Sequence, residues 1–122
     1  MKRNNEVFLE DIIKVCEDKQ AKEIKVYKLK DDFLADFLLI LSANNFIHCK
    51  AISNDILATA KKFQEKYAGS EINCSPNVSG KPDSGWLIID FNVFMVHIFI
   101  KDLRDYYKLD DFLENKAVIF HY

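Results

Sequence analysis

The segment NVFMVHIFIKD, residues 92–102, places one titratable ring, His97, within an otherwise apolar run of strand-forming residues. If the preceding apolar segment pairs with it as a hairpin, Asp90 comes near that histidine, and a carboxylate beside an imidazole could act as a general-base pair. A nucleophile is missing, because Ser84 precedes the strand and no cysteine is near in sequence. The pair by itself does not define an enzyme.

The histidines and the one Gly-Lys pair do not form a recognised binding site. A metal centre needs convergent ligands, and His48, His97 and His121 fall on separate predicted elements. The segment SGKPDSG, residues 79–85, has neither the spacing nor the following helix of a phosphate-binding loop. The sequence therefore predicts neither a metal nor a cofactor.

Pairs of adjacent aspartates occur at residues 31–32 and 110–111. Nucleotidyl transfer would need such a pair at a strand end beside a Gly-Ser turn, and neither pair has that turn. Both pairs are better interpreted as helix caps or solvent-facing residues. Because no enzyme signature remains, we predict that the chain is not an enzyme.

Length and composition indicate a single domain spanning residues 1–122. The chain is 49% apolar and 30% charged with a formal net charge of −2, so we do not expect simple adhesion to the phosphate backbone of nucleic acid, and we predict no sequence-specific nucleic-acid partner. No apolar run reaches the length of a membrane span, and the N-terminal residues lack the apolar region of a signal peptide. Three cysteines without CxxC spacing predict reduced thiols and a cytoplasmic location.

Hydrophobic periodicity predicts an α/β (α+β) fold, with a mixed sheet of about five strands and flanking helices. Residues 5–19 predict a first helix, and residues 23–29 a strand with one solvent-facing side. FLLILSA, residues 37–43, is apolar almost throughout, as in a central strand buried on both faces. The remaining predicted elements are a long helix containing Ile52, Ile56, Ala60, Phe63 and Tyr67 with a stop at Gly69, a short strand at most and then a loop in 71–85, strands at 86–91 and 94–100, short helices within 101–116, and an apolar tail at 117–122 to which the sequence assigns no role.

Pairing the last two predicted strands through a two-residue turn at 92–93 separates their side chains onto two faces. The wholly apolar face, which suits a position beneath a helix, consists of Leu87, Ile89, Phe91, Phe94, Val96 and Ile98. On the other face the expected cross-strand pairs are Ile88 with His97, Trp86 with Phe99, and Asp90 with Met95. A mixture of aromatic rings, methionine and few polar groups is typical of the centre of a protein interface. The alternative is a second helical layer over this face, with His97 as a hydrogen-bonded core residue.

Two segments of the chain resemble the ribosomal silencing factor family, also called Iojap: ADFLLILSANNFIHCKAISNDI and GWLIIDFNVFMVHIFIKDLRDYYKLDDFL. The matching positions, in the family's order and spacing, are Ala35, Asp36, Phe37, Lys50, Ala51, Ile52, Trp86, Asp90, Val96, His97, Ile98, Phe99, Arg104, Tyr107 and Leu109. The resemblance covers about residues 6–114 and leaves 115–122 as a C-terminal tail. Departures from the family's usual residues occur at Ser42-Ala43, Ile47, Asn92-Val93 and Leu113.

The resemblance implies a fold similar to nucleotidyltransferases but without their chemistry. It implies a translational repressor that docks on the large ribosomal subunit through the universal protein L-fourteen, blocks subunit joining sterically, and lowers translation under nutrient limitation. The mixed face of the hairpin is then predicted to form or support the docking surface. The candidate partner-binding residues are Trp86, Ile88, Asp90, Met95, His97, Phe99, Arg104, Tyr107, Asp36 and Lys50.

Two other classes of function stay open from the sequence. One is an enzyme that binds a nucleotide or another small molecule on the same fold. The other is a self-associating module, because an exposed face of tryptophan, phenylalanine and methionine can also close a homodimer when the protein is free.

Overall fold

A mixed sheet flanked by helices forms the frame of the molecule. The computed structural model describes residues 4–29, 37–66, 76–92, 94–114 and 117–121. In chain order the elements are α1 (Asn4–Asp18), β1 (Lys22–Leu29), β2 (Phe37–Ala43), α2 (Phe46–Lys66), β3 (Asn77–Ser79), a 3₁₀ turn (Pro82–Ser84), β4 (Trp86–Asp90), β5 (Phe94–Ile100), α3 (Lys101–Tyr107), α4 (Leu109–Glu114) and β6 (Ala117–His121).

The strands lie in the order β3-β4-β5-β2-β1-β6. Strands β2 and β5 pair in parallel, whereas the other neighbouring pairs of this sheet are antiparallel. The predicted mixed sheet is confirmed. The sixth strand is the apolar tail, which extends the sheet by pairing with β1.

Strand β2 occupies the interior of the sheet, between β5 and β1. All seven of its residues are buried, which confirms the prediction from its nearly unbroken apolar sequence. A strand of this kind has no solvent-facing side because helices cover both faces of the sheet.

The long helices α1 and α2 cover one face of the sheet and build the larger core. Apolar side chains at helical spacing, such as Phe8 and Ile12 in α1 and Ile52 and Ile56 in α2, are fully buried there. The wholly apolar face predicted for the last hairpin lies beneath these helices. Positions 67 and 69, proposed as the end of α2, lie outside the described residues. Within the described part of the chain, no helix has both the length and the apolar character that crossing a membrane requires.

His48 joins the end of α1 to the start of α2. Its Nε2–H donates to the carbonyl of Lys19 over 2.6 Å, and its Nδ1 accepts from the backbone N–H of Asn44 over 2.9 Å. The side chain of Asn45 accepts from the backbone N–H of His48 over 2.8 Å, as the N-cap of α2. Nε2 therefore joins the two long helices, while Nδ1 fixes the turn that precedes α2.

The short helices α3 and α4 pack on the opposite face and form a smaller second core. Its buried members are Tyr27, Leu38, Ile40, Phe99 and Leu113. The prediction of a solvent-facing side for β1 is wrong at Tyr27, which is fully buried. The error arose because the residues of β1 do not indicate that α3 and α4, which are distant in sequence, cover this side of the strand.

Arg104 anchors this second layer to the sheet. Only 2% of the residue is exposed, and its Nε and Nη2 donate to the two carboxylate oxygens of Asp110 over 2.8 and 3.2 Å. Its Nη1 donates to the hydroxyl of Ser42 over 2.9 Å and to the carbonyl of Glu23 over 2.6 Å. The Tyr27 hydroxyl donates to Asp110 over 3.0 Å. One guanidinium thus joins α3, α4, β1 and β2.

The pKa of Asp110 reflects this arrangement. Burial raises the pKa, but the hydrogen bonds and charge of Arg104, the Tyr27 hydroxyl and the charge of Lys25 together outweigh it and leave the pKa below its ordinary value. The carboxylate is therefore ionised at neutral pH and pairs with the buried guanidinium.

Replacement of Arg104 by methionine tests the anchor. Arg104→Met leaves the carboxylate of Asp110 without its counter-ion, so we expect the free energy of unfolding to fall by about 3 kcal/mol. The measurement is urea unfolding followed by circular dichroism. The control is Lys101→Met, an exposed residue of the same helix, which should change stability by less than about 0.5 kcal/mol. Equal stability of the Arg104 and Lys101 variants would show that the anchor contributes nothing.

Candidate docking surface

The last hairpin adopts the register predicted from the sequence. Trp86 pairs with Phe99, Ile88 with His97, and Asp90 with Met95. Position 93 lies outside the described residues, but the turn is closed by the backbone N–H of Phe91, which donates to the carbonyl of Phe94 over 2.9 Å. The mixed face of the hairpin therefore lies on the side of the sheet opposite the long helices.

A hydrogen-bonded turn, residues 81–85, immediately precedes Trp86. The Ser84 hydroxyl donates to the carbonyl of Lys81 over 2.6 Å and lies 3.2 Å from that of Trp86. Gly85 has a φ of +83°, a conformation that favours glycine, and a Cβ at this position would collide with the side chain of Leu103. The turn, the start of β4 and helix α3 consequently fit together at close range.

The indole of Trp86 donates its Nε1–H to Nδ1 of His97 over 3.0 Å. A histidine whose Nδ1 accepts a hydrogen bond carries its proton on Nε2 when neutral. His97 is 6% exposed, and burial lowers its pKa to about 4. The ring is therefore neutral at physiological pH and serves as a fixed acceptor for the indole.

A run of aromatic rings extends from this pair to the molecular surface. Trp86 stacks on Phe99 with centroids 4.8 Å apart and contacts Tyr107 at the same distance. Tyr106 meets Tyr107 edge-on at 5.2 Å. Exposure rises along the run, since Phe99 is fully buried, Trp86 is partly buried, and Tyr107 and Tyr106 are 50% and 74% exposed.

The ten candidate partner-binding residues fall into distinct groups. Tyr107 is exposed, and Trp86, Ile88, Asp90 and Met95 are partly exposed on one side of the sheet. Three candidates are buried and can act only from beneath the surface: His97, Phe99 and Arg104.

The two secondary candidates do not join this group. Lys50 is exposed on α2, which packs on the other side of the sheet. Asp36 lies outside the described residues. Tyr106 was not among the residues predicted from the sequence. Its neighbour Tyr107 was the available indication, because a helix at α3 beside Trp86 brings both tyrosines to this part of the surface.

The Asp90–His97 pair is not arranged as a general base. The carboxylate of Asp90 accepts from the backbone N–H of Asn92 over 2.8 Å, while Nδ1 of His97 is occupied by the indole. A buried imidazole with a pKa of about 4 is also poorly matched to proton abstraction near neutral pH. Among the described residues, no three His, Cys, Asp or Glu side chains converge as metal ligands would. The mixed face of the hairpin and helix α3 form a partly exposed surface made largely of aromatic and apolar side chains.

Comparison with known proteins gives a consistent result. Residues 2–120 match the family model described as "Ribosomal silencing factor during starvation" (RsfS). The chain is 29% identical over 108 residues to the ribosomal silencing factor RsfS of Halalkalibacterium halodurans, covering 88% of this chain and 86% of that protein. It is 28% identical over 108 residues to the RsfS of Bacillus subtilis, covering 88% and 85%.

A crystal structure of a protein from Chromobacterium violaceum shares the fold. It superposes with a TM-score of 0.74 at 21% identity, over 89% of this chain and 85% of that one. At this identity the likeness concerns the fold alone. The arrangement of a mixed sheet and flanking helices is therefore one that other proteins of similar length also adopt.

The buried imidazole predicts a specific dependence of stability on pH. Because the folded-state pKa of His97 lies below its ordinary value of 6.5, the unfolded chain binds the proton more readily between pH 6.5 and about 4. The contribution of the neutral His97 ring to the free energy of unfolding is fully present above this window. It is lost as the pH is lowered through the window, which reduces stability by about 3 kcal/mol at most. The lowered pKa of Asp110 acts at lower pH, where stability present above 3.8 is lost as the carboxylate is protonated.

The check is urea unfolding of the protein and of His97→Asn at pH values from 7 to 4. Asparagine keeps a hydrogen-bond acceptor near the position of Nδ1 but does not titrate. We expect the decline in stability between pH 6.5 and 4 to be markedly smaller in this variant. Parallel pH profiles for the two proteins would contradict the assignment of a buried neutral His97.

Proposed function

The chain belongs to the family of ribosomal silencing factors, and from this premise we propose that it binds the large ribosomal subunit through protein L-fourteen and blocks subunit joining. Its role is that of a ribosome-associated regulator of translation rather than an enzyme. By occupying the face on which the small subunit docks, it lowers translation under nutrient limitation. It acts in the cytoplasm, where ribosomal subunits join.

The partly exposed aromatic and apolar surface beside α3 is the observation that carries this proposal. We define the docking surface as Trp86, Ile88, Met95, Tyr106 and Tyr107, with Asp90 at its edge. Interface centres are enriched in tryptophan, tyrosine and methionine, and the residues that dominate binding energy are most often tryptophan, tyrosine and arginine. The surface thus has the composition of a protein-binding site.

The buried candidates support the surface from below. Phe99 provides the flat ring on which Trp86 stacks, and His97 accepts from the indole. Arg104 holds α3 against the sheet, which keeps Tyr107 beside Trp86. A pre-ordered surface loses less side-chain entropy when a partner binds, so these contacts favour affinity without touching the partner.

The same surface can close a homodimer of the free protein. A two-fold contact would bring the aromatic rings of one protomer against those of its partner. Such a dimer would cover the docking surface and would compete with ribosome binding. Diluting the dimer into a solution of large subunits would then favour the monomer bound to those subunits.

Co-sedimentation with isolated subunits tests the docking surface. We expect the protein to sediment with large subunits and not with small ones. Tyr107→Ala removes a half-exposed ring that lies between Trp86 and Tyr106, and we expect its affinity for large subunits to fall at least about tenfold.

The matched control is Phe46→Ala. Phe46 has nearly the same exposed fraction, 53%, but lies on α2 at the other side of the sheet, so its replacement should leave binding unchanged. Retained protein should also inhibit subunit joining in a light-scattering assay. Failure of the unmodified protein to bind large subunits at micromolar concentration would overturn the proposed function, and equal losses for both variants would place the docking surface elsewhere.

A further inference from the structure

Trp86 is the one tryptophan of the chain, and a single polar atom determines how its indole can be oriented. That atom, the Nε1–H, is directed to the interior and donates to His97 over 3.0 Å. An indole N–H in a partly buried position normally requires a hydrogen-bond partner, because a donor removed from water and left unpaired is destabilising. The acceptor therefore fixes which edge of the indole faces inward and which faces solvent.

The acceptor is itself held in one place. His97 lies on β5 between two neighbouring strands, with Ile88 beside it on β4 and Ile40 beside it on β2. Its ring also contacts that of Phe99, with centroids 6.4 Å apart. A side chain that is 6% exposed and flanked by strands on both sides has little room to change its rotamer.

The carboxylate of Asp90 is on the same face of β4 but four residues from Trp86, and its Oδ1 accepts from the backbone N–H of Asn92 in the hairpin turn. On the outer side of the indole, Tyr107 contacts Trp86 at 4.8 Å and in turn contacts Tyr106. The orientation set at His97 is therefore passed through one ring to the exposed rings of the docking surface.

We propose that His97 is a positioning residue for docking: its Nδ1 holds the Trp86 indole in the one orientation that presents Trp86 and Tyr107 to the partner. This inference rests on the proposed function, since it concerns the same surface. His97 does not touch the partner and transfers no proton. Burial keeps the ring neutral near pH 7, so that Nδ1 remains an acceptor.

A matched pair of substitutions separates the acceptor from the space that the ring fills. His97→Asn retains an acceptor close to the position of Nδ1, whereas His97→Leu fills a comparable volume without one. Both variants are first compared by urea unfolding, so that binding is measured under conditions where each is fully folded.

The first readout needs no ribosome. Because the chain has one tryptophan, its ¹⁵N-labelled spectrum contains a single indole N–H signal. We expect that signal to be single and slowly exchanging with solvent in the unmodified protein and in His97→Asn. In His97→Leu we expect it to broaden, or to split, and to exchange at least about tenfold faster, because the hydrogen bond that protects it is gone.

The second readout is affinity for isolated large subunits. We expect His97→Leu to bind about tenfold more weakly and His97→Asn to bind within about twofold of the unmodified protein. Trp86→Phe removes the indole N–H, so in that background His97→Leu should have no further effect on affinity, as coupling through one hydrogen bond requires.

The outcomes distinguish this inference from the function on which it rests. If the unmodified protein does not bind large subunits, the proposed function fails and the positioning role in docking fails with it, whatever the indole signal shows. If the unmodified protein binds and both His97 variants bind equally well, or if the effects of His97→Leu and Trp86→Phe are additive, docking stands and the positioning role is overturned.

Discussion

The ion pair between the buried Arg104 and the partly buried Asp110 is the interaction on which the second layer of this molecule depends. Helices α3 and α4 span only Lys101–Tyr107 and Leu109–Glu114, and segments of this length do not persist as isolated helices in water. Arg104 compensates by bonding to β1, β2 and α4 at once. Since an unpaired buried charge is costly, the ion pair and the docked position of the helices stand or fall together.

The proposed docking surface depends on that attachment. Strands β4 and β5 contribute Trp86 and the side chains that support it, and helix α3 contributes Tyr107 and Tyr106. Neither set is sufficient alone, because the strand residues are only partly exposed and the tyrosines have no fixed place without α3. Asp90 and His97, the pair considered for general-base catalysis, both have structural roles, since Asp90 accepts from the backbone of Asn92 and His97 accepts from the Trp86 indole.

Patterns that depend on local periodicity were predictable from the sequence. The helix over α1, the buried strand β2 and the register of the last hairpin are confirmed, because alternation and apolar runs report which faces are covered. Contacts between distant segments were not. Three features depend on residues that are far apart in sequence: the burial of Tyr27, the pairing of β6 with β1 and the hydrogen bonds of Arg104. An arginine is expected at the surface unless its buried partners are known.

Site-specific photo-crosslinking tests whether this chain docks on protein L-fourteen through the surface beside α3. Tyr106, which is 74% exposed, is replaced by p-benzoylphenylalanine, and the same substitution at Phe46 on the other side of the sheet serves as the control. After illumination with large subunits, we expect position 106 to crosslink to L-fourteen and position 46 not to do so. A crosslink from position 46 to L-fourteen, or from position 106 to a different ribosomal component only, would contradict it.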